Sequence, residues 1–84
     1  MEQVNVRVRR CLSEVVGSSL NNVGDQDSLF ESGLLDSLGI VRLVSKLEET
    51  FQCQFDFEEL TEDNLGSIQR MVTLLERKKV LVGS

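Results

Sequence analysis

The chain has 84 residues, 40% of them hydrophobic and 27% charged, which is typical of one small globular domain. Its net charge of −5 is concentrated in residues 25–63, where eleven acidic residues accompany two basic ones. Such an acidic segment argues against nucleic acid as a partner and favours a basic protein surface. No apolar run approaches the roughly 20 residues that a membrane span requires, and no signal segment begins the chain, so we expect a cytoplasmic protein.

The first predicted element is a helix over residues 2–16. Apolar side chains recur at intervals of three and four residues from Val4 to Val15, as they do on one face of a helix. Valines at positions 4, 6 and 8 also alternate with polar residues, as in a strand, but the helical spacing continues beyond them. Gly17 then provides a C-terminal stop.

A long polar loop is predicted over residues 17–36, which are rich in Gly, Ser, Asn and Asp. Loops of this length are uncommon in a small domain unless side chains attach them to the core. We therefore expect the loop to lie against the core through its apolar residues. These are Leu20, Val23, Leu29, Phe30, Leu34 and Leu35.

The second main helix is predicted over residues 37–51, with Ser37 as its first residue. Asp36 stands where the N-cap belongs, because its carboxylate can accept a hydrogen bond from a free backbone N–H and opposes the positive end of the helix dipole. The expected apolar face comprises Ile40, Val44, Leu47 and Phe51, widened by Leu38, Val41 and Leu43.

A connector and a short helix are predicted to follow. Phe55, Phe57 and Leu60 are expected to anchor the connector in the core. Thr61 is then expected to cap a short helix that ends near Leu65.

The last predicted helix begins after Ser67, which caps it, and basic residues from Arg77 onward suit its negative C-terminal end. Its apolar face comprises Ile68, Met71, Val72 and Leu75.

Together these elements predict an all-α fold, a small four-helix bundle with three main helices, one short helix and a long loop between the first and second helices. We expect a monomeric single domain over 1–84, with its core over about 4–79 and a flexible tail at 80–84.

The residue types limit what this chain can catalyse by itself. It has no His to act as a general base, no residues with metal-site spacing and no glycine-rich phosphate loop, so we expect no metal and no active site. Cys11 and Cys53 lack the spacing of a zinc or redox motif and are expected to be reduced thiols. Ser37 is instead a candidate substrate of another enzyme, because a phosphodiester at a helix start meets free backbone N–H groups.

Residues 29–51, LFESGLLDSLGIVRLVSKLEETF, resemble the core signature of acyl carrier proteins. In that family a Leu-rich loop leads into Asp-Ser-Leu, and an amphipathic helix follows that ends in Glu-Glu-x-Phe. The matching motif here is Asp36, Ser37 and Leu38, and its GLLDSLG version also resembles D-alanyl carrier proteins. The later residues are similar to the family's acidic connector, short helix and last helix, so the resemblance covers about residues 4–79.

The resemblance implies a carrier rather than an enzyme. The family's serine, matched here by Ser37, is converted to an ester of 4′-phosphopantetheine by a phosphopantetheinyl transferase that uses coenzyme A. The thiol of this arm holds an acyl or aminoacyl group as a thioester, which a loading enzyme supplies and downstream synthase or tailoring enzymes use. Acidic residues near this serine generally meet basic patches on such partners. The positions that suit this role here are Glu31, Asp36, Glu48 and Glu49.

Arg42 and Lys46 depart from the family pattern, in which the helix after the motif is usually acidic. They lie four residues apart and share one helix face, which would repel a basic partner and pair with an acidic one. This departure favours a freestanding carrier in a specialised pathway (polyketide, hybrid peptide–polyketide or aminoacyl) over a housekeeping fatty-acid role. A second interpretation, to which the sequence gives equal weight, is that both cations only balance neighbouring carboxylates on a solvated helix.

A different class of function also fits the sequence. A helical interaction module with the same fold and no prosthetic arm would bind a partner through the acidic surface around the second main helix. The two hypotheses differ at Ser37, because a carrier requires its hydroxyl and an interaction module does not.

Overall fold

The computed structural model describes residues 3–17, 20 and 22–78, and this part of the chain is all-helical, with no strand. Its elements are α1 (Val4–Val16), α2 (Ser37–Phe51), a 3₁₀ turn (Phe57–Glu59), α3 (Glu62–Leu65) and α4 (Ile68–Arg77). The predicted four-helix bundle, with one short helix and a long loop between the first two helices, is confirmed. The expected tail at 80–84 lies outside the described residues, as does Glu2 in the first predicted helix.

The core lies where α1 packs against α2 and α4, while α3 packs against α4. The periodicity of the sequence explains this arrangement, because apolar side chains three and four residues apart occupy one face of each helix. The fully buried side chains include Val8 and Leu12 of α1, Leu43 and Leu47 of α2, and Met71 of α4. α1 ends as predicted at Gly17, where φ is 74°, a left-handed conformation that glycine adopts without strain.

The loop between α1 and α2 lies against the core, as its apolar residues predict. Leu20, Leu29 and Leu35 are buried, and the other three apolar loop residues pack against the core while partly exposed. The Leu29 amide donates to the Gly66 carbonyl at 2.8 Å, and the Leu35 amide donates to the Leu29 carbonyl at 3.0 Å. Leu29 therefore joins the junction of α3 and α4 to the residues that immediately precede Ser37.

A guanidinium on α1 holds the first half of this loop. Arg9 donates to the carboxylate of Asp25 at 2.7 Å and to the carbonyl oxygens of Leu20 at 3.3 Å and Val23 at 2.7 Å. The planar guanidinium can serve all three acceptors because it carries five N–H donors. The carbonyl of Asp25 in turn accepts from the Gln69 amide of α4 at 2.9 Å, so the loop is fixed to both α1 and α4.

The connector after α2 corrects two predictions. Phe55 and Leu60 pack against the core as expected, but Phe57 is 87% exposed and anchors nothing there. A 3₁₀ turn begins at Phe57, and in this turn its side chain lies in solvent instead of the core. Thr61 does occupy the N-cap of α3, but its side chain accepts no hydrogen bond from that helix.

Candidate functional site

The start of α2 is fixed by Asp36. Its side chain accepts a hydrogen bond from the Gly39 amide at 2.8 Å, and its carbonyl accepts from the Ile40 amide at 2.9 Å, so the predicted N-cap is confirmed. A Cβ on Gly39 would lie 3.3 Å from the capping oxygen and 3.1 Å from Cδ2 of Leu35. The absence of a side chain at this position therefore lets the cap approach the helix closely.

Ser37 is exposed and is not used by the cap. Its hydroxyl forms no hydrogen bond with any described residue, and the amides of Ser37 and Leu38 have no acceptor within that part of the chain. The first amides of a helix lack intrahelical partners, and they attract negative charge. The site thus presents a free hydroxyl next to two free N–H donors.

A cleft of about 220 Å³ lies between the start of α2 and the end of α1, and it is lined by both chain neighbours of Ser37 but not by Ser37 itself. Leu38 and Arg42 contribute to it from α2, and Val15 and Val16 contribute from α1. The remaining lining residues are Gly33, Leu34, Asp36 and Gly39. The surface of the cleft is more polar than apolar, and its charged groups are the carboxylate of Asp36 and the guanidinium of Arg42.

The solvent-facing side of α2 carries two apolar residues that the sequence placed on the core side. Leu38 is 67% exposed and Val41 is 62% exposed, whereas Leu43 is fully buried as predicted. Successive residues of a helix are rotated by about 100°, so Leu38 lies nearly opposite the centre of the buried stripe and Val41 lies well outside it. The predicted apolar face of α2 was therefore too wide. Arg42 is exposed beside them and forms no ion pair with a described residue.

Lys46 differs from Arg42, although the sequence places both on one face. The Lys46 ammonium forms an ion pair with Glu14 of α1 at 3.1 Å, and this hydrogen bond together with the charge of Glu14 raises the pKa of Lys46. Its charge is therefore compensated within the domain, while that of Arg42 is not. Glu14 could not be predicted as the partner of Lys46, because the pair joins two helices that are distant in the chain.

The structure does not bring the four predicted acidic residues together. Glu48 lies eleven residues after Ser37, which is about 16 Å along the helix axis. Its carboxylate accepts a hydrogen bond from the Phe55 amide at 2.9 Å. Glu49 is exposed next to it, and Glu31 is exposed in the loop. Asp36 alone adjoins Ser37 in the chain. Glu48 thus has a structural contact that its position in the sequence did not predict.

The two cysteines are free thiols. Cys11 is buried in the core, where its thiol lies 3.4 Å from the hydroxyl of Thr50. Cys53 is partly buried, and the burial raises the pKa of its thiol.

Within the described residues no group of His, Cys, Asp or Glu side chains is arranged to hold a metal ion. No helix in that part of the chain has the length and apolar character to cross a bilayer.

Replacing Asp36 by Ala is expected to lower the free energy of unfolding by about 0.5–2 kcal/mol, because the Gly39 amide loses its acceptor. Asp36→Asn keeps an acceptor oxygen at the same place and serves as the matched control. Urea denaturation of both variants measures the difference. Equal stability of the Ala and Asn variants would show that the side-chain cap contributes nothing.

Comparison with known proteins identifies the class to which this fold and site belong. A family model described as a phosphopantetheine attachment site matches residues 6–75. The chain is 32% identical over 73 residues to a D-alanyl carrier protein of Leuconostoc citreum (strain KM20), covering 87% of this chain and 92% of that protein. It is 38% identical over 52 residues to a D-alanyl carrier protein of Streptococcus pyogenes serotype M5 (strain Manfredo), and this match covers 62% of this chain and 65% of that protein.

The fold is that of a solved carrier structure. The solution NMR structure of a holo acyl carrier protein from Nitrosomonas europaea superposes with a TM-score of 0.79, covering 93% of this chain and 98% of that one at 23% identity. The family match establishes that the chain belongs to the phosphopantetheine-attachment family of carrier proteins. Such a protein is a carrier and not itself a catalyst, and its prosthetic group is a covalently bound phosphopantetheine.

The described residues fit such a group. A phosphodiester needs a serine hydroxyl that the fold does not use, and the Ser37 hydroxyl meets that requirement. Its negative charge suits the free amides of Ser37 and Leu38 at the positive end of the α2 dipole.

Proposed function

We propose that Ser37 carries the phosphopantetheine arm and that the chain presents an aminoacyl or acyl group on this arm to partner enzymes. The observation that supports Ser37 is its contrast with Ser67, the other serine at the start of a main helix. The Ser67 hydroxyl is buried and accepts from the Arg70 amide at 3.1 Å, so it serves as a cap. At α2 the cap is Asp36, which leaves the Ser37 hydroxyl exposed and without a partner in the described structure.

The residues around Ser37 would position the arm rather than react with its cargo. The free amides of Ser37 and Leu38 would hold the phosphate, and the exposed side chain of Leu38 lines the adjacent cleft. When bound, the arm supplies a terminal thiol that holds an acyl or aminoacyl group as a thioester. The chain supplies the attachment hydroxyl and a rigid helix end for the enzymes that use this group.

An aminoacyl cargo is our first choice among the carrier functions. The two relatives described above are named D-alanyl carrier proteins, and one of them matches over most of both chains. D-alanine is therefore the first cargo to test, ahead of the polyketide intermediates that the same fold can carry. The partners are then a phosphopantetheinyl transferase, an aminoacyl-loading enzyme and the enzymes that use the loaded group.

Co-expression with a broad-specificity phosphopantetheinyl transferase tests the attachment site. The intact mass of the wild-type chain is expected to rise by one phosphopantetheinyl group, and Ser37→Ala is expected to show no increase. Ser45→Ala is the matched control, because Ser45 is also exposed on α2 but lies within the helix, and it should be modified like the wild type. Addition to Ser37→Ala, or no addition to the wild type with either of two transferases, would refute the proposal. A helical interaction module without an arm predicts that neither transferase adds a group to the wild type.

Arg42 is the residue of α2 most able to change partner preference. It lies beside the exposed Leu38 and Val41, and its charge has no ion-pair partner in the described part of the chain. A transferase that binds coenzyme A must present cations to the phosphates of that cofactor, and these repel Arg42. We propose that Arg42 disfavours such partners and favours enzymes with an acidic contact surface.

Arg42→Gln is therefore expected to raise kcat/KM of the transferase by about two- to threefold at low salt, with most of the effect removed by added salt. Lys46→Gln makes the same change in net charge, but Lys46 is already paired with Glu14, so its effect should be smaller. Steady-state modification rates measure both variants. A fall in kcat/KM for Arg42→Gln would contradict the proposed repulsion.

A further inference from the structure

Phe57 is an unusually placed aromatic residue. Its side chain is 87% exposed, the highest exposure among the large hydrophobic residues of the described chain, although phenylalanine is usually buried. It begins the 3₁₀ turn, and its carbonyl accepts from the Leu60 amide at 3.1 Å. The ring therefore contributes little to the core while its backbone is held in a defined turn.

The turn that presents Phe57 is held from both sides. The Glu59 carboxylate accepts from the Asp56 amide at 2.8 Å and pairs with the Lys78 ammonium of the α4 end at 2.6 Å. Both contacts lower the pKa of Glu59, the one with Lys78 more than the one with Asp56. Lys78 also donates to the Gln54 carbonyl at 2.9 Å and lies 5.2 Å from the centre of the Phe55 ring. An aromatic side chain on a fixed turn loses little entropy when a partner binds it.

The residues on either side of Phe57 in the chain are both acidic. Asp56 and Glu58, on either side of it, are exposed and have no cationic partner among the described residues. Two cations lie near the turn: Lys78 is paired with Glu59, and Arg77 donates to the Asn64 side chain at 2.8 Å. An exposed ring between uncompensated carboxylates fits an apolar pocket surrounded by Lys and Arg, and it disfavours both an acidic partner and a second copy of this acidic chain.

The turn lies on a segment that runs back toward the start of α2. On one side of the turn, the Phe55 amide donates to the carboxylate of Glu48 in α2. On the other side, the Gly66 carbonyl accepts from the Leu29 amide, and the Leu29 carbonyl accepts from the amide of Leu35, two residues before Ser37. Phe57 lies in the chain between these two attachments. A standard protein interface covers roughly 800 Å² of each partner, about one seventh of the 5450 Å² accessible surface of this chain. An interface of this size that includes Ser37 extends beyond the first turn of α2 and has room for a second contact elsewhere on the domain.

The reaction at Ser37 points to one partner for this surface. An enzyme that acts on the end of a long arm can work at a distance from the domain. The enzyme that attaches the arm must instead bring coenzyme A to the Ser37 hydroxyl, which lies one bond beyond Cβ. That enzyme needs direct contact with the domain, and its coenzyme A site is cationic because the cofactor carries phosphates. We propose that Asp56, Phe57 and Glu58 form a docking surface for the phosphopantetheinyl transferase, which rests on the proposed attachment at Ser37.

Steady-state kinetics of a purified broad-specificity transferase, with the unmodified chain as the varied substrate, test this surface. Phe57→Ala is expected to raise KM about tenfold with little change in kcat, because it removes an aromatic anchor and not a reacting group. Glu58→Lys keeps the ring but reverses one charge, and its increase in KM should shrink at high salt. Val6→Ala is the matched control, since Val6 is an exposed apolar residue on α1 that is flanked in the chain by Asn5 and Arg7, and it should behave like the wild type.

The outcomes separate the two proposals. Modification of the wild type together with a KM for Phe57→Ala within twofold of the wild type would overturn the docking surface and leave Ser37 as the attachment site. An equal rise in KM for Val6→Ala would also overturn it, because the effect would not be specific to this surface. If neither of two transferases modifies the wild type, the attachment at Ser37 is wrong and the docking surface is rejected with it. Thermal unfolding should be unchanged by Phe57→Ala, given the exposure of the ring.

Discussion

Leu29→Ala is expected to lower the free energy of unfolding by about 2–5 kcal/mol, the range for removing a fully buried leucine side chain. This is a large fraction of the roughly 5–15 kcal/mol that stabilises a small domain. The cost should be high because Leu29 lies in a loop whose backbone joins the Gly66 carbonyl to the Leu35 amide. Leaving a cavity there also loosens the segment that positions Ser37.

Urea denaturation measures this change, and Leu34→Ala is the matched control. Leu34 belongs to the same loop but is only partly buried, so its replacement should cost clearly less. Hydrogen exchange at the Leu35 amide is expected to speed up in Leu29→Ala more than in Leu34→Ala. Equal destabilisation by the two variants would mean that Leu29 is not the main attachment of the loop.

Gly66→Ala is expected to destabilise the domain by about 1–3 kcal/mol, as overpacking usually does. A Cβ at position 66 would meet the backbone carbonyl oxygen of Glu62 at less than contact distance, and a backbone atom cannot move aside as a side chain can. The shift would displace the carbonyl that receives the Leu29 amide. Gly66 is therefore required for steric reasons, although its backbone angles suit any residue.

Gly24→Ala is the control for this prediction. A Cβ at position 24 approaches nothing closer than 3.5 Å, the distance to the Asp27 carboxylate, so the substitution should be nearly neutral. Thermal or urea unfolding of the two alanine variants gives the comparison. The Leu29→Ala and Gly66→Ala effects should not add, because the two residues share one hydrogen bond. Additive effects, or a neutral Gly66→Ala, would contradict this account of the junction.

Much of the site could be predicted because it depends on local chemistry. Asp36 caps α2 through a bond to an amide three residues away, and Ser67 does the same for α4, so both follow from residue type and spacing. The position of Ser37 at the first turn follows from the same argument. The attachment of the loop to the core was also predictable, since burying the apolar residues of a polar loop removes their surface from water.

The remaining features depend on contacts between distant parts of the chain. The sequence could not show that Glu14 neutralises Lys46 while Arg42 stays unpaired, because the pair depends on how α1 lies across α2. It also could not distinguish Phe55 from Phe57, which have similar acidic surroundings. That difference arises from a 3₁₀ turn, whose weak local signal lies in the spacing of Asp56 and Glu59.

The state of the two cysteines has a consequence for the chemistry of a loaded carrier. Thiols capture thioesters through their thiolate form, so a reactive cysteine in the domain would remove the cargo from the arm. Cys11 is shielded by the core, and burial raises the pKa of Cys53, which lowers its thiolate fraction. Neither cysteine is therefore well suited to capture a thioester, and a thiol reagent at neutral pH should label the thiol of an attached arm before either cysteine.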